Sequence, residues 1–390
     1  MANSSIPPSP TLDRLGLRSL INASSWLTRL GGSLMAPEVL AAMQDVSGHF
    51  VDMAALNRVA GDRLAKATGA EAGLVTAGAS AALVLEAAAC LTGSDPKAAL
   101  QLPEAAPERR EIVIQKAHRN RYDGAWRLAG ARLVEIGIAR GTALWELERA
   151  IGPTTAAVAF VEAPFLAQPL ALGDVIRVAH GQGVPVIVDA AAEVPPAENL
   201  RRHILAGADL VAFSGGKGIG GPQASGILAG RRSLIEAAWL HALNYESPHA
   251  GIGRPMKASK ESIVGLLVAL ERFLGRDHAA DRVRWRAMAA HVVSELQGIP
   301  GIRVWSEEAG RQGPQAIIEL SPGRDAGALI EALAAGDPPI AITEGAKPGE
   351  LPVVMVTLRD GEERIVAERL RAAVAPGGAG AGGGRGGSTS

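Results

Sequence analysis

A lysine set among glycines, Phe213-Ser214-Gly215-Gly216-Lys217-Gly218-Ile219-Gly220-Gly221-Pro222, follows directly on the apolar run Ala208-Asp209-Leu210-Val211-Ala212-Phe213. Lysine is costly to bury, and glycines on both sides clear space for a ligand to approach the backbone. About one βαβ unit earlier, Val184-Pro185-Val186-Ile187-Val188 runs into Asp189 and then Ala190-Ala191-Ala192. A buried strand that ends in an aspartate, followed by one that ends in a lysine, is what a pyridoxal phosphate (PLP) site needs. The lysine is the covalent anchor and the aspartate the partner of the ring nitrogen. A Schiff-base lysine needs a neutral amine, and burial lowers a lysine's pKa in that direction. A surface lysine in a glycine turn is the competing reading of Lys217, and a helix N-cap that of Asp189. The alanines after Asp189, Ala191 among them, favour the cofactor reading, because small residues let a flat ring lie against the backbone.

Other residues fall in with this pair. Thr76-Ala77-Gly78-Ala79-Ser80 precedes an Ala/Leu-rich helical run. Backbone N–H groups at a helix start form a phosphate cradle, so Gly78, Ala79 and Ser80 are expected at the cofactor phosphate, with Ser214 as another donor. An ordinary capped helix is the alternative. His118 follows the run Glu111 to Gln115 and is placed to stack on a ring, although a lone histidine is more often structural. Arg254 and Arg359 each adjoin an expected domain junction. A guanidinium there can grip a carboxylate or phosphate in two-pronged fashion, and surface solvation is the alternative. Rival motifs fail. Gly216 to Gly221 fits GxGxxG, but the acid twenty residues on, Glu236, lies in a helical pattern rather than at a strand end. Gly218 after Lys217 rules out a Walker loop. The histidines show no metal-ligand spacing, so no metal is expected, and there is no GxSxG elbow.

Short apolar strands alternating with helices position these residues. Strands are expected at Ala72–Thr76, Glu111–Gln115, Ala131–Ile136, Thr155–Val161, Val184–Val188, Leu210–Phe213 and Gly226–Ala229. Apolar on both sides, they argue for an α/β fold with a mostly parallel seven-stranded sheet covered by helices. Five segments are expected. An N-terminal arm and helices span 1–60, with mobile residues to about Pro10, and a large ligand-binding domain spans 61–255. A connecting helix (256–280) leads to a small α+β domain (281–375) whose last strand is Val353–Thr357. The Gly-rich tail, 376–390, cannot offset its ordering entropy and is expected to be disordered.

At 390 residues, two domains are the default. The 39 basic and 40 acidic residues nearly cancel, so no global field draws the chain to nucleic acid or a membrane. The lone Cys90 excludes an internal disulfide and fits a reducing cytoplasm. No apolar run reaches the ~18 residues of a membrane span, and the polar start lacks a signal peptide's apolar core. A small-molecule amino acid is the expected partner.

Val188-Asp189-Ala190-Ala191-Ala192-Glu193, Pro195-Pro196, Glu198-Asn199-Leu200, Gly207-Ala208-Asp209-Leu210, Ser214-Gly215-Gly216-Lys217-Gly218 and Gly221-Pro222-Gln223 together resemble the selenocysteine synthase (SelA)-like group. These are fold-type I PLP enzymes related to class V aminotransferases. The group includes L-seryl-tRNA(Sec) selenium transferase and D-glucosaminate-6-phosphate ammonia-lyase. The likeness extends from Leu15-Gly16-Leu17 and Leu30-Gly31-Gly32-Ser33 through Phe50-Val51-Asp52-Met53, His118-Arg119-Asn120 and Gly253-Arg254-Pro255 to Leu358-Arg359. It implies a Schiff base at Lys217, a ring contact at Asp189, stacking at His118, and a homodimer or larger ring of dimers. The partner chain would supply Gln223 or Arg254 to the phosphate. It further implies a lyase that removes an α-proton from an amino acid or amino-sugar acid and eliminates a β-group; racemase, aminotransferase, aldolase and selenium transferase chemistry are the alternatives. Where relatives often carry Gly-Thr, this chain has Ala23-Ser24-Ser25-Trp26-Leu27, and Trp26 is expected to face the substrate.

Overall fold

Residues that alternate in and out of a strand are all apolar here, so each strand must be covered on both faces. In the computed structural model, which describes residues 7–104, 108–163, 166–242, 251–308 and 313–375, the strands are, in chain order, β1 (Ile21–Asn22), β2 (Ala72–Thr76), β3 (Glu111–Gln115), β4 (Arg132–Ile136), β5 (Thr155–Val161), β6 (Val186–Asp189), β7 (Leu210–Ser214), β8 (Gly226–Gly230), β9 (Ile302–Glu308), β10 (Pro314–Leu320), β11 (Ile340–Ala341) and β12 (Glu350–Val354). Two compact units result: Gly31–Arg276, and residues up to 30 together with those from 277 onward.

The unit Gly31–Arg276 is built on a seven-stranded sheet of order β2-β8-β7-β6-β5-β3-β4. Only β8 runs against the rest, pairing antiparallel with β2 and β7. The alternation along each strand divides the core in two. Val186 and Val188 of β6 and Val211 and Phe213 of β7 face one side, with helices Met53–Thr68, Leu172–Gly181 and Lys260–Leu274 packed on them. Ile187, Leu210 and Ala212 face the other side, under helices Ala79–Thr92, Gly124–Leu128 and Arg232–Ala242. All seven of these strand residues are fully buried. At the opposite edge from the site, buried Asp209 ties strands together: its Oδ2 accepts the Val186 N–H at 2.6 Å and meets His180 Nε2 at 2.8 Å, and its Oδ1 meets the Arg231 guanidinium.

The other unit carries the antiparallel sheet β12-β10-β9 and helices His278–Leu296, Ala326–Ala335 and Glu362–Val374, with Val292, Ile318, Val353, Val366 and Leu370 in its core. The N-terminal arm belongs here. β1 pairs parallel with β11, Ile21 opposite Ile340, and Ile21 and Ala23 are fully buried in the same core.

This division differs from the one expected from sequence. Residues 7–30 join the C-terminal unit through the β1–β11 pair, a contact between segments more than 300 residues apart that no local pattern announces. Helices Pro37–Ser47 and Met53–Thr68 belong with the large sheet. The helix expected to connect domains, Lys260–Leu274, lies within the large unit, because its stripe of Ile263, Leu266, Leu270 and Phe273 is buried there. A helix, Pro10–Arg14, occupies the start of the described chain, its N-cap Ser9 accepting the Leu12 N–H. The expected last strand stops at Val354, and Met355–Thr357 is a 3-10 turn. The expected tail, 376–390, lies outside the described residues.

Candidate active site

The parallel strands of the large sheet all end at one edge, the place where open α/β sheets bind ligands. Thr76, Gln115, Val161, Asp189 and Ser214 are the last residues of β2, β3, β5, β6 and β7, and Gly226, the first of the reversed β8, joins them. Asp189 is buried. Its backbone is fixed by the register with Ala212 and by the Glu162 N–H, which donates to its carbonyl at 2.9 Å. The Asp189 Oδ1 accepts the Ala191 N–H at 3.1 Å. No helix begins here; the next one starts at Asn199. The N-cap alternative for Asp189 is therefore removed.

Lys217 stands half-buried three residues beyond β7. Burial pushes its amine below the usual lysine range, and the nearby carboxylates of Asp189 and Glu193 push the other way without reversing it. Burial likewise raises the Asp189 carboxyl, against the pull of the Ala191 N–H and of Lys217. Each group thus feels the other's charge, yet neither forms an ion pair among the described residues. The surface-lysine alternative does not fit a desolvated amine that feels the charge of two acids.

The glycines beside Lys217 serve a purpose other than the one expected. A Cβ on Gly215 would lie 2.2 Å from Ser225 Oγ, on Gly216 2.5 Å from Gln223 Cα, and on Gly218 2.2 Å from the Val194 carbonyl oxygen. The space they leave is filled by protein backbone and side chains rather than left for a ligand. They let the lysine loop pack flat against its neighbours and so hold Lys217 in place. Gly218→Ala is expected to force the loop off the 194–195 backbone, costing about 1–3 kcal/mol by overpacking. Urea unfolding of the unloaded protein checks this, and an unchanged midpoint would count against a packing role.

The segment expected to cradle the phosphate begins at a helix start. Gly78, at φ 96° and ψ 166°, has a backbone conformation open essentially to glycine alone. It is the N-cap of Ala79–Thr92, and no side chain caps that helix. Its first N–H groups are left to other acceptors. The Thr76 hydroxyl donates to the Gly78 carbonyl at 2.9 Å, and Gly226 lets that carbonyl lie against β8. Ser80 is exposed and Ser214 half-buried at the same edge.

His118 is fully buried and its nitrogens are engaged by protein. Nδ1 accepts the Val161 N–H at 3.2 Å, which leaves the proton on Nε2, 2.9 Å from Gln168 Oε1. Burial lowers its pKa to about 4, so the ring is neutral. With Phe160 edge-on at 4.7 Å, it has only a ring face to give a ligand and no nitrogen for acid–base work. Gln223 and Arg254 lie exposed in the same unit. Trp26 and Arg359 belong to the other unit. Trp26 follows Ser25, whose φ of 84° is left-handed, and Arg359 faces Glu362 at 3.6 Å.

Sequence reasoning missed the acids behind the pair. Glu193 is fully buried, and Glu162 directly follows β5. Glu86, also fully buried, accepts the Trp126 Nε1–H at 2.7 Å; burial raises its carboxyl well above the usual range, the Trp126 bond opposes this, and Asp189 adds to it. None carries a local signal of its role: Glu86 lies within an Ala/Leu-rich helix, Glu162 just after a strand and Glu193 in a turn, and only the tertiary fold sets their surroundings.

A buried carboxylate and a desolvated amine that feel each other's charge, at the same sheet edge as an uncapped helix start at Gly78, fit PLP: Lys217 would hold it covalently, Asp189 would meet the ring nitrogen, and residues 78–80 the phosphate. The comparisons agree. The sequence model described as SelA, L-seryl-tRNA selenium transferase, matches residues 27–298. The chain is 34% identical to a 5'-C-glycyluridine monooxygenase-decarboxylase of Streptomyces sp over 90% of this chain and 89% of the relative. It is 35% identical to the D-glucosaminate-6-phosphate ammonia lyase of Salmonella typhimurium over 76% of this chain and 79% of the relative. A solved structure of D-glucosaminate-6-phosphate ammonia-lyase superposes with a TM-score of 0.81 at 31% identity, covering 94% of this chain and 98% of that one. With both the fold and the sequence in agreement over nearly its full length, this chain belongs to the SelA family of fold-type I, PLP-dependent enzymes.

Proposed function

We propose that this protein is a PLP-dependent lyase acting on an amino acid or amino-sugar acid, in the manner of D-glucosaminate-6-phosphate ammonia-lyase. The observation that carries the reading is the likeness to that enzyme in both sequence and structure. PLP, when bound, supplies an electron sink for the carbon next to the amino group. The chain's own residues do the rest. Lys217 would hold PLP through Nζ, and its amine, once freed by the arriving substrate amine, would accept the α-proton; burial lowers its pKa in the direction a base needs. The Asp189 carboxylate keeps a proton on the ring nitrogen. The β C–O bond breaks with its electron pair, and the Lys217 ammonium returns its proton to the departing hydroxyl. Hydrolysis of the released enamine then gives a keto acid and ammonia. His118 offers a ring face, Gly78, Ala79, Ser80 and Ser214 the phosphate donors, and Ala191 a small wall. Gln223 is assigned to the phosphate and Arg254 to the substrate.

A homodimer is the proposed assembly, and the cytoplasm the proposed location. No helix among the described residues is long and apolar enough to cross a membrane. Burial pushes the Cys90 thiol up to about 12, as suits an inert core cysteine.

The Streptomyces relative favours a second reading: its name describes an oxygenation with decarboxylation of a glycyl nucleoside. One assay separates the two. PLP-loaded protein is expected to release ammonia and a keto acid from D-glucosaminate-6-phosphate. Oxygen uptake with carbon dioxide release from 5'-C-glycyluridine, and no ammonia from the sugar acid, would replace the lyase reading by the second.

A further inference from the structure

Four ionisable side chains close to Lys217 in the fold are linked into one cluster, with Glu193 and His203 buried, Glu162 partly buried and Arg202 reaching solvent. Arg202 Nη2 lies 2.6 Å from Glu162 Oε1 and 3.2 Å from Glu193 Oε2, and the other Glu162 oxygen lies 2.5 Å from His203 Nε2. Glu193 and His203 are fully buried. The His203 ring packs edge-on toward Phe213 of β7, at 6.1 Å between centroids. Its Nδ1 is buried with no hydrogen-bond partner. An orphan lone pair costs less there than an orphan N–H, so the proton sits on Nε2, donated to Glu162.

The assembly is braced against the site backbone. The Glu162 N–H holds the Asp189 carbonyl, and the Glu193 N–H closes a turn onto the Ala190 carbonyl at 3.1 Å. Asn199 Nδ2 holds the Glu193 carbonyl at 2.6 Å. The residue after Glu193 packs against the residue after Lys217, backbone to backbone. Glu162, Glu193 and His203 bring three ligand atoms within 4.8 Å of one another, the spacing of a metal site. Arg202 already supplies the cation between the two carboxylates, and its charge opposes a second one.

We propose that Glu193 is a positioning residue for proton transfer at Lys217, a second carboxylate that Arg202 tethers near the amine but holds out of contact with it. The proposal rests on Lys217 being the cofactor-bearing lysine. A carboxylate in direct contact would trap the amine as ammonium and remove the base. No second carboxylate at all would leave the ammonium, once formed, with Asp189 alone, which the ring nitrogen also claims. Two carboxylates and one guanidinium leave one formal negative charge for the ammonium to face. The ionisable groups whose charge reaches Lys217 are Asp189 and Glu193; Arg202 contacts Glu193 and Glu162, Glu162 contacts His203, and the charge of Asp189 reaches Glu86.

The tether gives the test opposite signs at its two ends. The full-length protein is loaded with PLP, and the pH midpoint of its visible absorbance, which reports the proton at the Lys217 nitrogen, is measured. Glu193→Gln removes a negative charge and is expected to lower the midpoint by about one pH unit. Arg202→Met frees Glu193 to approach the amine and is expected to raise it by a similar amount. Glu193→Asp keeps the charge and is expected to restore the wild-type midpoint to within about 0.3 units. In Glu193→Gln, kcat falls with KM little changed, as for a group that acts after binding. Midpoints unmoved, or moved the same way by Glu193→Gln and Arg202→Met, would overturn the proposal while leaving the cofactor reading intact. Wild-type protein with no visible band after loading would overturn both. Should one of the two variants fail to fold, the sign found in the other still decides.

Discussion

Lys217→Ala is expected to abolish the pH-dependent visible absorbance of the PLP-loaded protein and to lower turnover by at least about 10³-fold, the range of a lost acid–base group. Among the described residues, Lys217 is the only lysine whose pKa burial lowers, and the charges of Asp189 and Glu193 act on it, so no neighbour is expected to substitute for it. The unloaded variant is expected to fold as well as the wild type, because Lys217 makes no ion pair whose loss would expose a charge. The pH dependence of stability gives a second check. Burial holds the Lys217 pKa below its ordinary 10.5. Between its folded value and 10.5 the unfolded chain binds more protons than the folded one. Unloaded wild-type protein therefore gains stability as pH rises through that alkaline window, and Lys217→Ala lacks this increment. Denaturant titrations of both proteins at several pH values measure it. Retained turnover, or identical pH slopes, would place the chemistry elsewhere.

Asp189→Asn is expected to leave the fold and the covalent link in place and to lower turnover by about 10²–10³-fold, as for a lost electrostatic stabiliser. The amide keeps an oxygen for the Ala191 N–H, so the turn after β6 survives. Burial already penalises the Asp189 carboxylate, so the neutral variant is expected to unfold at an equal or higher denaturant concentration. Only the charge opposite the cofactor nitrogen is lost. Absorbance after loading, unfolding midpoint and kcat are the three measurements. If Asp189 served only to brace the turn, all three would match the wild type, and the ring-nitrogen role would fall.

Much of this site was legible in the chain because it is local. Asp189 ends one short apolar run and Lys217 follows another by a few residues, and such runs in a parallel sheet lead to the edge where ligands bind. Gly78 announced itself in the same way, between a strand and an Ala-rich helix. The glycines near Lys217 were legible as a signal but not in their purpose. Their Cβ positions are filled by Ser225, Gln223 and the 194–195 backbone, partners that only the closed loop brings within reach. His118 reads in the sequence as a ring placed to stack, with a structural role as the alternative, and only the fold supplies the Val161 N–H and Gln168 that occupy its nitrogens.

The sequence by itself determined the alternating elements, the two-faced apolar strands, and the lysine and aspartate at their ends, because these follow from period and from residue type over a few neighbours. The tertiary structure decided the rest. It placed β8 antiparallel between β2 and β7, joined residues 7–30 to the C-terminal unit through Ile21 and Ile340, and linked Glu162, Glu193, Arg202 and His203 into one cluster. Each of these depends on free energy gained between segments far apart in the chain, where hydrogen-bond pairing and the exclusion of water, rather than local propensity, select the partner.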